Sequence, residues 1–280
     1  MTTYQAPAKL NLSLLISAPR SDGYHPLESL VQTIEWCDLL TAEEGNHDDI
    51  LEIRGSDMDP EENLILTALE KARARAHVPP LSLALEKDLP VAAGLGGGSS
   101  NAAAALRIAL ELGELPEDMV TDVALEVGAD VPLFLTGGSL MMSGVGESIT
   151  SLEPLAGFAV AVVVPEFGLV TEEVYRRWDQ MEGPAGEVVH GQVLPPSLRD
   201  GMPIRNDLAP AALDLEPRMG DFMADIRGVW GTAVYMTGSG SACFGYFASV
   251  TEAGDAAAAV TGLCERAMGV ELRETGVARA

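Results

Sequence analysis

The chain has 280 residues, a hydrophobic content of 47% and a formal net charge of −25 at pH 7, which predict one large globular domain or two closely packed ones. The acidic excess excludes partners that need a basic surface, such as nucleic acid or anionic membrane, and the longest apolar run is far too short to span a bilayer. Three cysteines without metal or disulfide spacing favour a reducing cytoplasm.

The first half of the chain shows alternating strand and helix patterns. Lys9, Asn11 and Ser13 alternate with leucines, which predicts a half-buried strand over 9–16. Asp130-Val-Pro is expected to be extended, because proline disfavours helical backbone in the residue before it. The other elements expected here are a turn over 20–25, a strand through Trp36, an acidic stretch over 43–62 with a short strand near Leu51, helices over 63–76, 102–112 and 117–127, and a strand over 81–87.

The second half begins at a soft boundary over 153–157. Its expected elements are a strand over 159–164, a helix over 171–181, a long loop over 183–203, two short helices over 206–226, a hairpin over 233–247 that turns at Gly238-Ser-Gly240, and a helix over 251–268 before a final strand. Strands and helices are mixed without sustained βαβ alternation, so the fold class is α+β.

The most informative run is Pro90-Val-Ala-Ala-Gly-Leu-Gly-Gly-Gly-Ser-Ser-Asn101, between a strand and a helix. Four glycines before a helix let backbone N–H groups approach an anion, which the helix dipole also favours. Ser99 or Ser100 is the expected helix cap. The run predicts a phosphate cradle, and a flexible glycine-rich turn is the simpler alternative.

Other phosphate-binding motifs fit this run less well. A Walker A loop is excluded because none of the three lysines precedes serine or threonine. A dinucleotide fingerprint fits Gly94 and Gly96 but meets Ser99 in place of the third glycine, so it stays a weak alternative. The sequence also lacks the His-Arg-Asp and Asp-Phe-Gly motifs of protein kinases.

Three separated segments together resemble the GHMP kinase superfamily: Pro7-Ala-Lys-Leu-Asn-Leu12, the run 90–100 and Thr237-Gly-Ser-Gly-Ser-Ala242. Within this superfamily, four short motifs resemble those of the family that phosphorylates 4-diphosphocytidyl-2-C-methyl-D-erythritol in the non-mevalonate isoprenoid route. The motifs are Asp22-Gly-Tyr-His25, Gly94-Leu-Gly-Gly-Gly-Ser-Ser100, Gly128-Ala-Asp-Val-Pro132 and Asn206-Asp-Leu208. The resemblance covers nearly the whole chain. It implies a two-lobed fold, with an N-terminal nucleotide-binding lobe over 1–153 and a C-terminal α/β-sandwich-like lobe over 154–280.

The resemblance implies ATP-dependent phosphorylation of a tertiary 2-hydroxyl, with Lys9 and Asp130 as the catalytic pair and Mg²⁺ bound to the nucleotide. The chemistry agrees, because a carboxylate can receive the hydroxyl proton and a nearby ammonium favours its ionised form. Taken alone, Asp130 could stabilise a turn and Lys9 could be a solvated strand lysine.

The resemblance also assigns the binding residues. The ATP-binding positions are Pro90, Val91, Ala92, Ala93, Gly94, Leu95, Gly96, Gly97, Gly98, Ser99, Ser100, Asn101, Asn63, Leu64 and Lys87. The substrate-binding positions are Asn11, Tyr24, His25, Thr171 and Tyr175, with aromatic rings stacking on a cytosine. Without the resemblance, His25 could be an ordinary turn residue, Tyr175 a core residue, Lys87 an exposed lysine and Asn63 a helix cap.

Two details of the loops stay open. The family often has methionine and glycines where Val91, Ala92 and Ala93 stand, so the first half of the loop is expected to differ in path, because alanine disfavours positive φ. Gly238-Ser-Gly240 fits a plain hairpin turn nearly as well as a phosphate contact.

Two alternative functions also remain. Another small-alcohol kinase, of the homoserine or mevalonate type, would share the fold, but the Asp22-Gly-Tyr-His25 turn argues against it. A catalytically silent nucleotide-binding protein is disfavoured because Lys9 and Asp130 are both retained. Ser99 and Ser100 are the candidate Mg²⁺ ligands, and the oligomeric state stays open.

Overall fold

The computed structural model describes residues 1–21 and 23–280, and its first sheet has seven strands. These strands are β1 (Thr2–Ile16), β2 (Leu27–Glu44), β3 (Ile50–Arg54), β4 (Leu81–Glu86), β5 (Ser139–Gly144), β6 (Ser148–Ser151) and β11 (Ala278–Arg279). The order is β11-β1-β2-β4-β3, with β5 paired to β2 and β6 to β5. The long antiparallel pair β1–β2 therefore lies inside this sheet, and the other strands add to either side of it.

The second sheet has four antiparallel strands. They are β7 (Ala159–Val164), β8 (Tyr235–Met236), β9 (Cys243–Phe247) and β10 (Arg266–Val270), in the order β10-β7-β9-β8. Every residue of β7 is buried, as expected for a central strand made almost entirely of valine and alanine.

Helices cover both sheets. The first sheet packs against α1 (Leu64–Arg73), α2 (Gly97–Leu112), α3 (Glu117–Val127) and α4 (Val131–Thr136). The second packs against α5 (Thr171–Gln180), α6 (Ala209–Leu215), α7 (Arg218–Trp230) and α8 (Val250–Ala259). Short 3₁₀ turns occupy Pro60–Glu62, Gly191–Val193 and Pro196–Leu198. The described helices include none long and apolar enough to cross a membrane.

The sequence of α2 explains its central position. The run Ala102-Ala-Ala-Ala105 and Ala109 are fully buried, and α2 contacts α1, α4 and β1. Small side chains let helix and strand backbones approach closely while alanine still favours the helix. The tight packing fixes the start of α2, where the glycine-rich run ends.

Strand β1 is buried on both faces, not on one as expected. Its leucine face packs into a cluster with Val162 and Phe244 of the second sheet. Its polar face is also covered, since Lys9, Asn11 and Ser13 are 6%, 4% and 1% exposed. Three polar residues buried in a row need partners, and these partners build the site described below.

Several local predictions were wrong. Asp130 has helical backbone (φ −84°, ψ −9°) and is the N-cap of α4, which continues through Val131 and Pro132, because proline is tolerated in the first turn of a helix. The helix expected over 251–268 ends at Ala259, and residues 266–268 pair with β7. The strand expected to end at Trp36 continues to Glu44, where it pairs with β4.

The strand β11 brings the end of the chain back to the first sheet, where Arg279 pairs with Tyr4 and Ala278 with Gln5. The division into lobes at 153/154 remains a prediction, and the last strand would then cross from the second lobe to the first.

Candidate active site

A cavity of about 430 Å³ lies between the glycine-rich run, β1, the start of α5 and the β8–β9 turn. Most of the predicted site residues line it, namely Lys9, Asn11, Leu64, Lys87, residues 90–99, Asp130, Thr171 and Tyr175. Gly238 and Ser239 of the β8–β9 turn line the same cavity. The fold thus brings together segments from the start, the middle and the end of the chain.

The glycine-rich run approaches the β8–β9 turn closely. At Gly94, where φ is +79°, a Cβ atom would lie 2.9 Å from the carbonyl oxygen of Thr237 and 3.0 Å from that of Gly240. Only glycine permits this approach. Ala92 also has a positive φ of 55°, a conformation that costs a non-glycine residue roughly 1–2 kcal/mol.

Helix α2 begins at Gly97, with Gly96 at its N-cap in a left-handed conformation. Ser99 and Ser100 therefore lie inside the first turn, and the prediction that either one caps the helix was wrong. No side chain from the described part of the chain caps this terminus. Its first N–H groups remain available, and the helix dipole makes them an anion site.

Lys9 and Asp130 meet in this cavity, with Nζ of Lys9 3.9 Å from Oδ2 of Asp130. The Lys9 ammonium also donates to Oδ1 of Asn11. Burial lowers the pKa of Lys9, and the Asp130 carboxylate partly opposes this effect. The Asp130 side chain is 34% exposed, so it can reach a molecule bound in the cavity.

Asn11 is held in place by Thr237 and Ser29. Its backbone N–H donates to Oγ1 of Thr237 at 2.8 Å, and its Nδ2 donates to Oγ of Ser29 at 2.7 Å. The Ser29 hydroxyl in turn donates to the carbonyl of Ser13 at 2.7 Å. This network fixes the Asn11 amide so that its oxygen faces Lys9.

Lys87 lies under the glycine-rich run in a buried network that the sequence does not reveal. Its Nζ donates to Oδ2 of Asp38 at 2.8 Å and to the carbonyl of Leu89. The fully buried Asp38 also accepts from Nδ2 of Asn101 at 3.0 Å and from the N–H groups of Asp88 and Leu89, both at 2.8 Å. Asp38 thereby ties the residues before the loop to the helix that follows it.

Asn63 and Leu64 differ in their relation to the cavity. Asn63 is the N-cap of α1, where its Oδ1 accepts from the N–H of Ile65 at 3.0 Å, and it is not among the cavity-lining residues. Leu64 lines the cavity, and its Cδ1 lies 3.6 Å from the Cβ position at Gly98. Contact of either residue with ATP stays a prediction.

Two of the predicted base-binding residues, His25 and Tyr175, lie together with Trp178. The rings of His25 and Tyr175 have centroids 5.4 Å apart, and Trp178 meets His25 edge-on at 5.5 Å. Nε2 of His25 is 2.8 Å from Oδ1 of Asp179, which orients the imidazole. Burial, with a smaller effect of Asp130, raises the pKa of Tyr175 to about 12, so its phenol is neutral at physiological pH.

Some predicted residues lie away from the cavity wall. Tyr24 is 66% exposed, and neither Tyr24 nor His25 is among the lining residues. Ser100 and Asn101 are buried beneath the loop. Asp22, the first residue of the predicted recognition turn, lies outside the described residues.

The β8–β9 turn is a hairpin turn that borders Lys9: a Cβ atom at Gly238 would lie 3.5 Å from Nζ of Lys9. Contact of this turn with a phosphate stays a prediction. The hydroxyls of Ser239 and Thr171 are 2.8 Å apart, which joins this turn to the start of α5.

The apolar part of the lining was not anticipated. Leu14, Leu27, Met58, Met142 and Leu208 all line the cavity. Leu14 and Leu27 lie in strands that were expected, but which of their apolar residues face a cavity depends on register and on packing between the sheets. These side chains make part of the cavity wall apolar, and charges interact more strongly beside apolar groups than in water.

This arrangement can position a phosphate ester next to an alcohol. The N-terminus of α2 supplies an anion site, Asp130 supplies a proton acceptor, and the Lys9 ammonium supplies positive charge beside it. These are the functions that a protein contributes to phosphoryl transfer, in which positioning and charge stabilisation dominate.

Comparisons with known proteins agree with the geometry. Residues 63–138 match the family model of the GHMP kinases N-terminal domain. A crystal structure of homoserine kinase from Cytophaga hutchinsonii matches with a TM-score of 0.69 at 16% identity, over 100% of this chain and 97% of that one. Fold and site define the chain as a GHMP kinase.

Relatives of higher sequence identity show which family of GHMP kinases the chain belongs to. The 4-diphosphocytidyl-2-C-methyl-D-erythritol kinase of Sinorhizobium medicae (strain WSM419) is 38% identical over 92% of this chain and 90% of its own length. A crystal structure of 4-(cytidine 5'-diphospho)-2C-methyl-D-erythritol kinase matches with a TM-score of 0.77 at 33% identity, over 96% of this chain and 98% of that one. The chain belongs to the 4-diphosphocytidyl-2-C-methyl-D-erythritol kinase family.

Proposed function

We propose that this chain transfers the γ-phosphoryl group of ATP to the 2-hydroxyl of 4-diphosphocytidyl-2-C-methyl-D-erythritol, a step in the non-mevalonate route to isoprenoid precursors. The observation that carries the proposal is the Lys9–Asp130 pair, 3.9 Å apart, in one cavity with an anion-binding helix terminus and the aromatic Tyr175. Full-length relatives that bear this name support it.

In this proposal the phosphates of ATP lie on the glycine-rich run. The first N–H groups of α2 and the loop backbone donate to phosphate oxygens. Lys87, whose Nζ would be 3.2 Å from a Cβ atom at Gly97, adds positive charge directly below the loop. In a chain with a net charge of −25, such local donors must supply the attraction for a nucleotide.

Mg²⁺ is proposed to arrive with the nucleotide. The described residues contain no group of three or more His, Cys, Asp and Glu side chains that could hold a metal, which fits an ion that takes its ligands mainly from phosphates and water. Ser99 lines the cavity and is the proposed protein ligand, whereas Ser100 is fully buried. When bound, the ion neutralises charge on the transferred phosphoryl group.

The proposed reaction places the substrate 2-hydroxyl at Asp130. The carboxylate receives the hydroxyl proton as a bond forms between the hydroxyl oxygen and the γ-phosphorus, and the bond from that phosphorus to the ADP oxygen breaks. The Lys9 ammonium stabilises the developing negative charge on the attacking oxygen. Asn11 keeps the ammonium in position through the network described above.

Substrate recognition is proposed to rest on the aromatic end of the site. Tyr24 and Tyr175 would stack on the two faces of the cytosine, and groups of the His25 turn would bond its edge. Thr171 would contact the remainder of the substrate. The hydrogen bond from His25 to Asp179 supports this, because it fixes the turn in one orientation.

A homoserine- or mevalonate-type kinase would use the same fold and the same Lys9–Asp130 pair. Turnover measured with a set of candidate alcohols is therefore the deciding experiment. Release of ADP is followed with the cytidylylated erythritol, mevalonate and homoserine. We expect turnover with the first and almost none with the others, since these alcohols have no base to bind at Tyr175. Comparable turnover of all three would contradict the assignment.

The same proposal includes a division into lobes near Glu153 and a cytoplasmic location. The cysteines Cys37, Cys243 and Cys264 are free thiols in the structure, which is the state expected in a reducing compartment.

A further inference from the structure

A second cavity, of about 860 Å³, lies among α6, α7 and the segments 187–193 and 231–236. It shares no lining residue with the active-site cavity. Much of its wall is apolar, as at Val189, Ile204 and Met223. Cavities of this size and character hold small organic ligands.

The cavity wall carries one positive charge that the described residues leave uncompensated. Arg227, an exposed residue on the last turn of α7, lines the cavity, and its guanidinium has neither a hydrogen bond nor an ion pair with any described group. Arg218 on the same helix, by contrast, is paired with Glu216. In so acidic a chain, an arginine without a carboxylate partner beside an apolar cavity favours an anionic ligand.

The other arginine among the described lining residues already has a partner. Arg205 is paired with the buried Asp207, at 2.8 Å. Glu187 also lines the cavity and carries the opposite charge. An anion is therefore expected at the α7 wall, at Arg227, with its apolar part directed toward the interior.

Tyr235 supplies a second observation. It lines the cavity, and its hydroxyl is buried without a hydrogen-bond partner among the described residues. Burial raises the pKa of Tyr235 to about 12, and the charge of Arg227 acts on it in the opposite direction. The phenol is thus a donor at neutral pH near Arg227, and a buried donor without an acceptor is costly.

Neighbouring residues of the same two segments line the two cavities. Asn206 lines the second cavity, and its Nδ2 donates to the carbonyls of Met236 and Gly238, at 2.9 and 2.8 Å. Gly238 lines the active-site cavity, and so does Leu208, two residues after Asn206. A ligand that shifts Asn206 would move the turn that borders Lys9.

We propose that the second cavity is an effector site for a small apolar molecule with one carboxylate or phosphate group, held by Arg227 and coupled to the active site through Asn206. The site is separate from the residues proposed for phosphoryl transfer, so the test of this proposal does not depend on the substrate assignment.

Binding is tested by isothermal titration calorimetry with 1-naphthoate, and with neutral 1-naphthamide as the probe of the same shape. We expect wild type to bind the naphthoate more tightly than the amide. Arg227→Gln should raise the Kd for naphthoate about tenfold or more, and Tyr235→Phe by a smaller factor. Arg218→Gln removes a neighbouring arginine outside the cavity and should leave the Kd unchanged.

Ala224→Trp provides an independent test, because Ala224 is an exposed helix residue that lines the cavity, and a bulky side chain there should abolish binding in a folded protein. Equal Kd values for wild type and Arg227→Gln, or preference for the amide, would overturn the site. Saturating naphthoate should change the KM for ATP at least about twofold in wild type and not in Arg227→Gln. An unchanged KM in wild type would overturn the coupling.

Discussion

Nζ of Lys9 lies 3.9 Å from Oδ2 of Asp130 and on its other side donates to Oδ1 of Asn11. Because Thr237 and Ser29 hold Asn11, the ammonium is confined to one position instead of swinging on a flexible stem. Such confinement is what lets a charge act on a reacting oxygen without reorganisation.

The burial of Lys9 predicts an alkaline limit to activity. Its pKa in the folded protein is lowered from 10.5, so kcat should fall with rising pH before 10.5 is reached. The unfolded chain holds this proton more tightly, so the Lys9 contribution to the free energy of unfolding should rise with pH through the same window. In Lys9→Arg, which stays charged, the residual kcat should lack this alkaline fall. An identical pH–kcat profile in both proteins would refute the assignment of the limit to Lys9.

The cradle is best tested at Gly98. Outside α2 itself, the only described residue that a Cβ atom there would contact is Leu64, at 3.6 Å, so Gly98→Val should fold while its side chain obstructs the proposed phosphate site. We expect the Kd for ATP to rise about tenfold or more, with a smaller rise in Gly98→Ala, as measured by calorimetry.

Gly96→Val is the contrasting variant. It would place Cβ 2.6 Å from the Phe134 ring at a φ of +74°, so its defect should appear first as a lower Tm. Unchanged ATP affinity in folded Gly98→Val would count against the cradle.

Asp38 is predicted to hold the loop through Lys87. Asp38→Asn leaves the buried ammonium of Lys87 without a counter-charge, and we expect a loss of about 3–5 kcal/mol in the free energy of unfolding. Adding Lys87→Met removes that charge and should restore part of the loss, as measured by urea unfolding. Additive losses in the double variant would show that the two residues do not act as a pair.

Tyr175 should affect the cytidine substrate and not the nucleotide. Tyr175→Ala removes the ring and should raise the KM for the cytidylylated substrate roughly 5- to 100-fold, the usual range for loss of one base-stacking contact. Tyr175→Phe keeps the ring and serves as the control, with KM close to that of wild type. If Tyr175→Ala raises the KM for ATP instead, the base lies elsewhere.

Local sequence patterns predicted most elements and the place of the glycine-rich run between a strand and a helix. Phosphate binding by the run 90–101 stays a prediction, made because glycines before a helix expose backbone N–H groups. Prediction failed where two local preferences competed: the serines looked like the better caps, but Gly96 adopts a positive φ that serine disfavours. At 266–268, alanine-rich helical spacing continued into a segment that pairs with buried β7.

Long-range partners could not be predicted from local patterns. In the sequence, Asp38 looks like an ordinary polar residue of a strand. Its role depends on Lys87 and Asn101, which are distant in sequence and meet it only in the folded chain. Lys9 and Asp130 were paired through the family resemblance. Their approach in space needed the packing of α4 against α2 and of α2 against β1.

The central claim is that Lys9 and Asp130 act together on one hydroxyl, and steady-state kinetics on Asp130→Asn, Lys9→Ala and the double variant test it most directly. Asp130→Asn keeps the shape of the side chain but removes the proton acceptor, so kcat should fall about 10²- to 10⁴-fold with little change in KM. Lys9→Ala should also act mainly on kcat, and the double variant should be scarcely worse than the poorer single one. Near-normal kcat in Asp130→Asn, or fully additive losses in the double variant, would contradict the claim.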